Sequence, residues 1–265
     1  MNRLASSFEE NANPRIIPFM MTGDPHLEVT VELIIELGRA GVTAIELGVP
    51  FSDPTADGPV IQAASERALH QQITCYDVLQ VGKAVRDRGC NTPLILFSYL
   101  NPLLQYGLQK LLQDASEIGF DGLIIPDLPY EESSEIRELC MQYGIPLILF
   151  VAPTTKQRIE QIVKESQGFV YCVSSLGTTG IRSQFAPEIA SFLQTVKEKS
   201  PLPVAVGFGV ATPKHVAYFS QYVDAVIVGS ALVQLIHEKR ESLLDLDKRS
   251  YALQDIIKFV KELRK

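Results

Sequence analysis

Eight short runs of apolar, β-rich residues recur along this chain, at 16–21, 44–49, 94–98, 122–125, 147–151, 169–173, 204–206 and 225–228. Longer segments with helical patterning alternate with them. Parallel strands cannot be joined by tight turns and need a crossover helix between them. Residues 29–40 carry Val29, Leu33, Ile34, Leu37 and Ala40 at helical spacing. Residues 131–143, 155–165 and 187–199 read the same way, and Thr155, Pro187 and Thr212-Pro213 are helix-start residues. Extra helices are expected over 4–11 and 251–264, flanking the strands at both ends. No linker or shift in composition interrupts the rhythm. Residues 1–265 therefore read as one α/β domain, a (β/α)8 TIM barrel with extra flanking helices. The alternative is a doubly wound open sheet, but no G-x-G-x-x-G opens a helix after the first strand.

Composition narrows the function classes. The chain is long enough to bury a substantial core, and 46% apolar with 21% charged residues is ordinary for a globular protein. A net charge of −7 without a basic block argues against nucleic acid. The amino terminus has no apolar secretory core, and no apolar run is long enough to span a bilayer. A cytoplasmic protein with no membrane association is expected. Cys75, Cys90, Cys140 and Cys172 are widely spaced, as expected of reduced thiols rather than disulfides or zinc ligands. His26, His70, His215 and His237 form no ligand pattern and are expected in or beside helices; no metal is expected.

In a barrel of this kind chemistry belongs to the carboxyl ends of the strands. Along 44–49, alternation puts Ala44, Glu46 and Gly48 on one face and Ile45, Leu47 and Val49 on the other. A lone Glu in an apolar strand is costly unless its charge is used. Asp57 follows in a loop stiffened by Pro50, Pro54 and Pro59. Two carboxylates from one strand end suit proton transfer. The competing reading is a Glu paired with a buried Arg or Lys, and a turn-forming Asp-Gly.

Two glycine elements, Gly207-Phe208-Gly209-Val210 after the seventh run and Gly229-Ser230 after the eighth, allow close backbone approach to an anion. Gly229-Ser230 also opens a helix, whose amino end favours negative charge. Gly180 and Gly177 lie in the loop after the sixth run. A phosphate site from Gly180, Gly209, Gly229 and Ser230 is the candidate; tight strand-to-helix turns are the competing reading. The stretch 174–185, rich in Gly, Ser and Thr, suits a mobile lid. Phe19, Ile61, Phe97, Tyr99, Ile124, Tyr171, Thr179 and Phe208 are candidates for an apolar substrate pocket, each also a candidate for plain core.

The stretch from Glu46 to Pro59, Glu-Leu-Gly-Val-Pro-Phe-Ser-Asp-Pro-Thr-Ala-Asp-Gly-Pro, resembles the signature of the tryptophan synthase α-subunit family. Gly23-Asp24-Pro25, Tyr99-Leu100-Asn101-Pro102, Pro126-Asp127-Leu128-Pro129, Gly177-Thr178-Thr179-Gly180, Gly207-Phe208-Gly209 and Gly229-Ser230 match in family order over essentially the whole chain. The resemblance implies a lyase of tryptophan biosynthesis that cleaves indole-3-glycerol phosphate to indole and glyceraldehyde 3-phosphate. It implies Glu46 as the proton-transfer group, Asp57 as the partner of the indole N–H, and Gly180, Gly209, Gly229 and Ser230 as the phosphate site. It implies no cofactor in this chain. A β subunit carrying pyridoxal phosphate is the implied partner, in an α2β2 heterotetramer. The remaining alternatives are another phosphate-binding barrel enzyme and a catalytically impaired subunit that activates its partner.

Overall fold

The computed structural model describes residues 3–9, 14–155, 157–173, 187–207 and 209–265. Among the described residues there are eight strands: β1 (Arg15–Met21), β2 (Ile45–Gly48), β3 (Leu94–Phe97), β4 (Gly122–Ile124), β5 (Phe150–Val151), β6 (Val170–Val173), β7 (Val204–Gly207) and β8 (Ala225–Val228). They form one parallel sheet in the order β4-β3-β2-β1-β8-β7-β6-β5. The two outer strands meet through a parallel bridge between Leu123 and Leu147. There the Leu123 N–H donates to the Pro146 carbonyl and the Ile148 N–H to the Leu123 carbonyl, each at 2.9 Å. The sheet thus closes into the (β/α)8 barrel that the alternation of runs predicts.

Alternation along each strand separates two cores. Residues such as Ile16, Met20, Ile45, Leu47, Leu94 and Leu96 point outward and pack under the helices. Ile17, Ala44, Ile95, Ile124, Ile148, Phe169, Tyr171, Ala205, Ala225 and Ile227 fill the interior. Helix Arg3–Glu9 adds Leu4 and Phe8 to that interior cluster, and the Phe8 ring lies 5.8 Å from Phe169. Phe169 directly precedes β6, so this helix closes the amino ends of the strands. Arg3 fixes it there: its Nε donates to Asp121 Oδ1 at 2.8 Å. Asp121 Oδ2 accepts from Arg86 Nη2 and from the Leu94 N–H, both at 2.9 Å.

Several predicted elements differ in extent. The 147–151 run yields only a two-residue strand and the closing bridge. The segment 131–143 divides into a 3-10 turn, Tyr130–Glu132, and a helix, Ser134–Gln142. Thr155 does not start a helix. It ends the 3-10 turn Pro153–Thr155, its hydroxyl bonding both backbone groups of Ala152, and the helix Ile159–Glu165 follows Arg158. Thr212 caps Pro213–Phe219 as expected, accepting from the His215 N–H, and Pro187 opens Pro187–Lys199. The flanking helices are Arg3–Glu9 and Arg249–Glu262; residues 10 and 11 of the first expectation lie outside the described residues. Two helices rather than one separate β2 from β3 and β3 from β4: Pro59–His70 with Cys75–Asp87, and Leu100–Tyr106 with Leu108–Ile118. The four cysteines are free thiols, and the histidines sit in or cap helices.

Candidate active site

The carboxyl ends of the strands surround a cavity with three kinds of wall. Glu46 and Asp57 supply carboxyl groups; Phe19, Ile61, Phe97, Tyr171 and Ile227 supply apolar and aromatic surface. Gly207, Gly209, Gly229 and Ser230 close the remaining side. Glu46 reaches the cavity because β2 turns its even-numbered residues inward. Its register neighbours are Phe19 on β1 and Ile95 on β3. It is fully buried, and neither carboxyl oxygen has a hydrogen-bond partner among the described residues. The competing expectation of a buried Arg or Lys partner is therefore not met among them. Burial without a partner pushes the Glu46 carboxyl well above the ordinary range and favours its protonated form.

Asp57 stands at the foot of helix Pro59–His70, separated from it by Gly58. Its Oδ2 accepts a hydrogen bond from the Tyr99 hydroxyl at 3.0 Å. Burial raises its pKa from 3.8 to about 6, against the opposing pull of the Tyr99 bond. The same hydroxyl accepts from the Ala56 N–H at 3.0 Å, so Tyr99 joins loop backbone to carboxylate. The two buried acids are thus perturbed differently: burial raises the Asp57 pKa to about 6 against the pull of the Tyr99 bond, whereas Glu46, with no hydrogen bond among the described residues, is raised by burial alone.

The glycine side of the cavity has a distinct physical reason at each position. Gly209 has φ of +66°, a conformation that side-chain-bearing residues rarely adopt. At Gly207 a Cβ would lie 2.7 Å from the Tyr171 hydroxyl, so the aromatic wall requires a hydrogen there. Gly229 is not crowded: a Cβ would meet Ile61 Cδ1 at 3.7 Å, an ordinary contact. It precedes helix Ser230–Glu238, which opens at the cavity without a side-chain cap. The unpaired N–H groups of a first helical turn, together with the helix dipole, suit an anion.

Most of the sequence-derived candidates converge. Phe19, Glu46, Asp57, Ile61, Phe97, Tyr171, Gly209, Gly229 and Ser230 all line the cavity. Tyr99 serves it through Asp57 rather than as wall. Ile124 does not line it: it is buried in the barrel interior, in register with Phe97. Thr179, Gly180 and the rest of the 174–185 stretch, and Phe208, lie outside the described residues. Ile227 is an additional wall residue, found two positions beyond Ala225 on the inward face of β8. Gln62 and Ser65 are additional supports for the Asp57 loop, through bonds to the Asp57 carbonyl and to Phe51. Among the described residues no cluster of His, Cys, Asp and Glu could hold a metal, and no helix is long and apolar enough to cross a membrane.

Known proteins are similar to this chain in sequence and fold. The family described as "Tryptophan synthase alpha chain" matches residues 5–264. The tryptophan synthase alpha chain of Halalkalibacterium halodurans is 45% identical over 263 residues, covering 99% of each chain. A crystal structure of the α subunit from Legionella pneumophila superposes with a TM-score of 0.89 at 38% identity, covering 100% of this chain and 97% of that one. A chain from the a2b2 tryptophan synthase complex of Pyrococcus furiosus superposes with a TM-score of 0.84 at 36% identity, covering 94% and 97%. With a family match over nearly its whole length, this chain belongs to the tryptophan synthase alpha chain family.

Proposed function

We propose that Glu46 and Asp57 carry out the family's reaction in this chain, with Gly209, Gly229 and Ser230 holding the substrate phosphate. The reaction is the retro-aldol cleavage of indole-3-glycerol phosphate to indole and glyceraldehyde 3-phosphate, and the chain is a lyase of tryptophan biosynthesis. The observation that carries the assignment is the pair of buried acids facing one cavity, Glu46 without a hydrogen-bond partner among the described residues and Asp57 with its pKa raised to about 6.

Cleavage needs a proton on indole C3 and the loss of one from the side-chain hydroxyl. A protonated Glu46 delivers the first, making C3 tetrahedral and the ring cationic. The resulting Glu46 carboxylate takes the hydroxyl proton as the carbon–carbon bond breaks. Its electron pair restores the indole ring while the hydroxyl carbon becomes an aldehyde, and no proton is gained or lost overall. Asp57, ionised, accepts the indole N–H bond and offsets the positive charge as it develops on the ring. The flat apolar surfaces of Phe19, Phe97 and Tyr171 suit an indole, and Gly180 with Thr179 would complete the substrate shell. No cofactor is needed in this chain for that chemistry. A β subunit, which would carry pyridoxal phosphate and receive the indole, is the partner; the α2β2 complex of the Pyrococcus furiosus relative supports this assembly. We further read residues 1–265 as one barrel domain acting in the cytoplasm.

Glu46→Gln tests the assignment. Indole release should fall by roughly 10²- to 10⁴-fold, the range of a general acid–base group, with an unchanged circular dichroism spectrum. Near wild-type turnover by the folded variant would overturn the role given to Glu46. A wild-type chain that stimulated the β subunit but released no indole would overturn the lyase assignment itself.

A further inference from the structure

The loop that presents Asp57 is carried by the helix that follows it, and the attachment is specific. Gln62 Nε2 donates to the Asp57 carbonyl at 2.7 Å. One turn further along the same face, Ser65 holds the loop's other end. Its hydroxyl accepts from the Phe51 N–H at 2.8 Å and donates to the Phe51 carbonyl at 2.9 Å. A helical serine hydroxyl commonly turns back to the carbonyl four residues earlier; this one is committed to a residue 14 positions away and is buried. Phe51 in turn lies against Tyr99, ring centroids 5.3 Å apart and planes 31° apart. Tyr99 is the residue whose hydroxyl touches both the Asp57 carboxylate and the Ala56 N–H. The helix itself is pinned to the loop after β1. Arg67 makes two parallel bonds to the buried Asp24 carboxylate, at 2.9 and 2.6 Å, and Gln71 Nε2 donates to the Gly23 carbonyl at 2.8 Å.

We infer that Ser65 is a positioning residue for the cleavage reaction, acting through Phe51 and Tyr99 to set where the Asp57 carboxylate stands. The inference rests on the role proposed above for Asp57. Its physical basis is that Phe51 carries two backbone groups in an irregular loop, where no strand ladder meets their hydrogen-bonding needs. Ser65 meets both with one hydroxyl. Without it the loop loses its fixed point beside the Tyr99 ring, and the Tyr99 hydroxyl no longer has one place in which to meet Asp57. Displacements of about 1 Å at such distances from the reacting atoms are costly in rate. They fall on kcat when the substrate's binding groups, here the phosphate side of the cavity, are untouched.

Four variants, assayed for indole release together with the β subunit, decide the matter. Ser65→Ala should lower kcat roughly 10-fold with KM changed less than about threefold, and should move the acid limb of the kcat–pH profile upward as Asp57 loses the Tyr99 bond that favours its charged form. Ser65→Thr, which keeps the hydroxyl, should restore kcat and the acid limb together. In an Asp57→Asn background Ser65→Ala should cost little further, because residues acting through one group are not additive. Three results would overturn the inference: a wild-type pH profile and turnover for Ser65→Ala, a loss that falls on KM or merely tracks the folded fraction, or an undiminished effect in the Asp57→Asn background. Full activity of Asp57→Asn alone would instead overturn the role of Asp57, so the two failures are distinguishable.

Discussion

A carboxyl group that is useful in a buried site is a burden on the fold that carries it, and Asp57 shows the size of the burden. Its pKa rises from 3.8 to about 6 because burial disfavours the charge more than the Tyr99 bond favours it. The folded state therefore holds this proton more tightly than the unfolded state. Folding stability from this group is greatest below pH 4 and declines as the pH rises through about 6. At about 1.4 kcal/mol for each pH unit, the ionised carboxylate costs the fold about 3 kcal/mol above neutrality. Asp57→Asn removes the titration. Urea unfolding should show the variant gaining on wild type by up to about that amount between pH 4 and pH 8, while indole release falls strongly and binding of glycerol phosphate changes little. A constant stability difference across that range would refute the titration argument. Loss of glycerol phosphate binding would show that Asp57 organises the loop instead. The two acids were legible from the sequence because alternation turns Glu46 inward on an apolar strand, where a carboxyl group is costly to keep unless its charge is used. Ser65 and Gln62 were not, because their partners are backbone groups whose availability only the folded loop decides.

Among the elements, strand-to-helix turns carry the phosphate reading, and they also show where pattern runs out. Inward-facing positions were legible, but depth was not: Ile124 faces inward and pairs in register with the cavity-lining Phe97, yet it is packed in the interior cluster and does not reach the cavity. Helix ends fared similarly. Thr212 met an available His215 N–H and became a cap, whereas Thr155 was taken up by Ala152 in a 3-10 turn. Gly209 offers the sharpest element-scale prediction. A side chain there must adopt φ of +66° at a residue that lines the cavity. Gly209→Val should raise KM for indole-3-glycerol phosphate substantially and weaken inhibition by inorganic phosphate. Residual activity on a dephosphorylated analogue should be nearly unchanged, since Glu46 and Asp57 lie on another strand and loop. A parallel loss on both substrates, with a lower Tm, would mean that Gly209 serves only the turn.

The whole molecule divides its tasks between the two ends of the barrel. The carboxyl ends hold two buried acids that the fold tolerates at a cost. The amino ends hold groups whose needs are met: Leu4 and Phe8 packed beneath Phe169, and Asp121 bonded by Arg3, Arg86 and the Leu94 N–H. The sequence announced an amino-terminal helix but not its place, since the four-residue spacing of Leu4 and Phe8 marks an apolar stripe without saying what it covers. If one end stabilises and the other reacts, substitutions at the two ends should have opposite signatures. Leu4→Ala removes a fully buried side chain from the interior cluster and should cost roughly 2–5 kcal/mol, the transfer term plus the cavity left behind. It should leave kcat and KM of the folded protein at wild-type values, because the interior layer between Leu4 and the cavity keeps its packing partners. Asp57→Asn should do the reverse at neutral pH, gaining stability and losing turnover. Urea unfolding and steady-state indole release on the same two preparations make the comparison. A Leu4→Ala protein that unfolds like wild type would show that the helix only lies against the barrel. One that loses kcat while still fully folded would show that the interior transmits strain from one end to the other, and the division of tasks would fail.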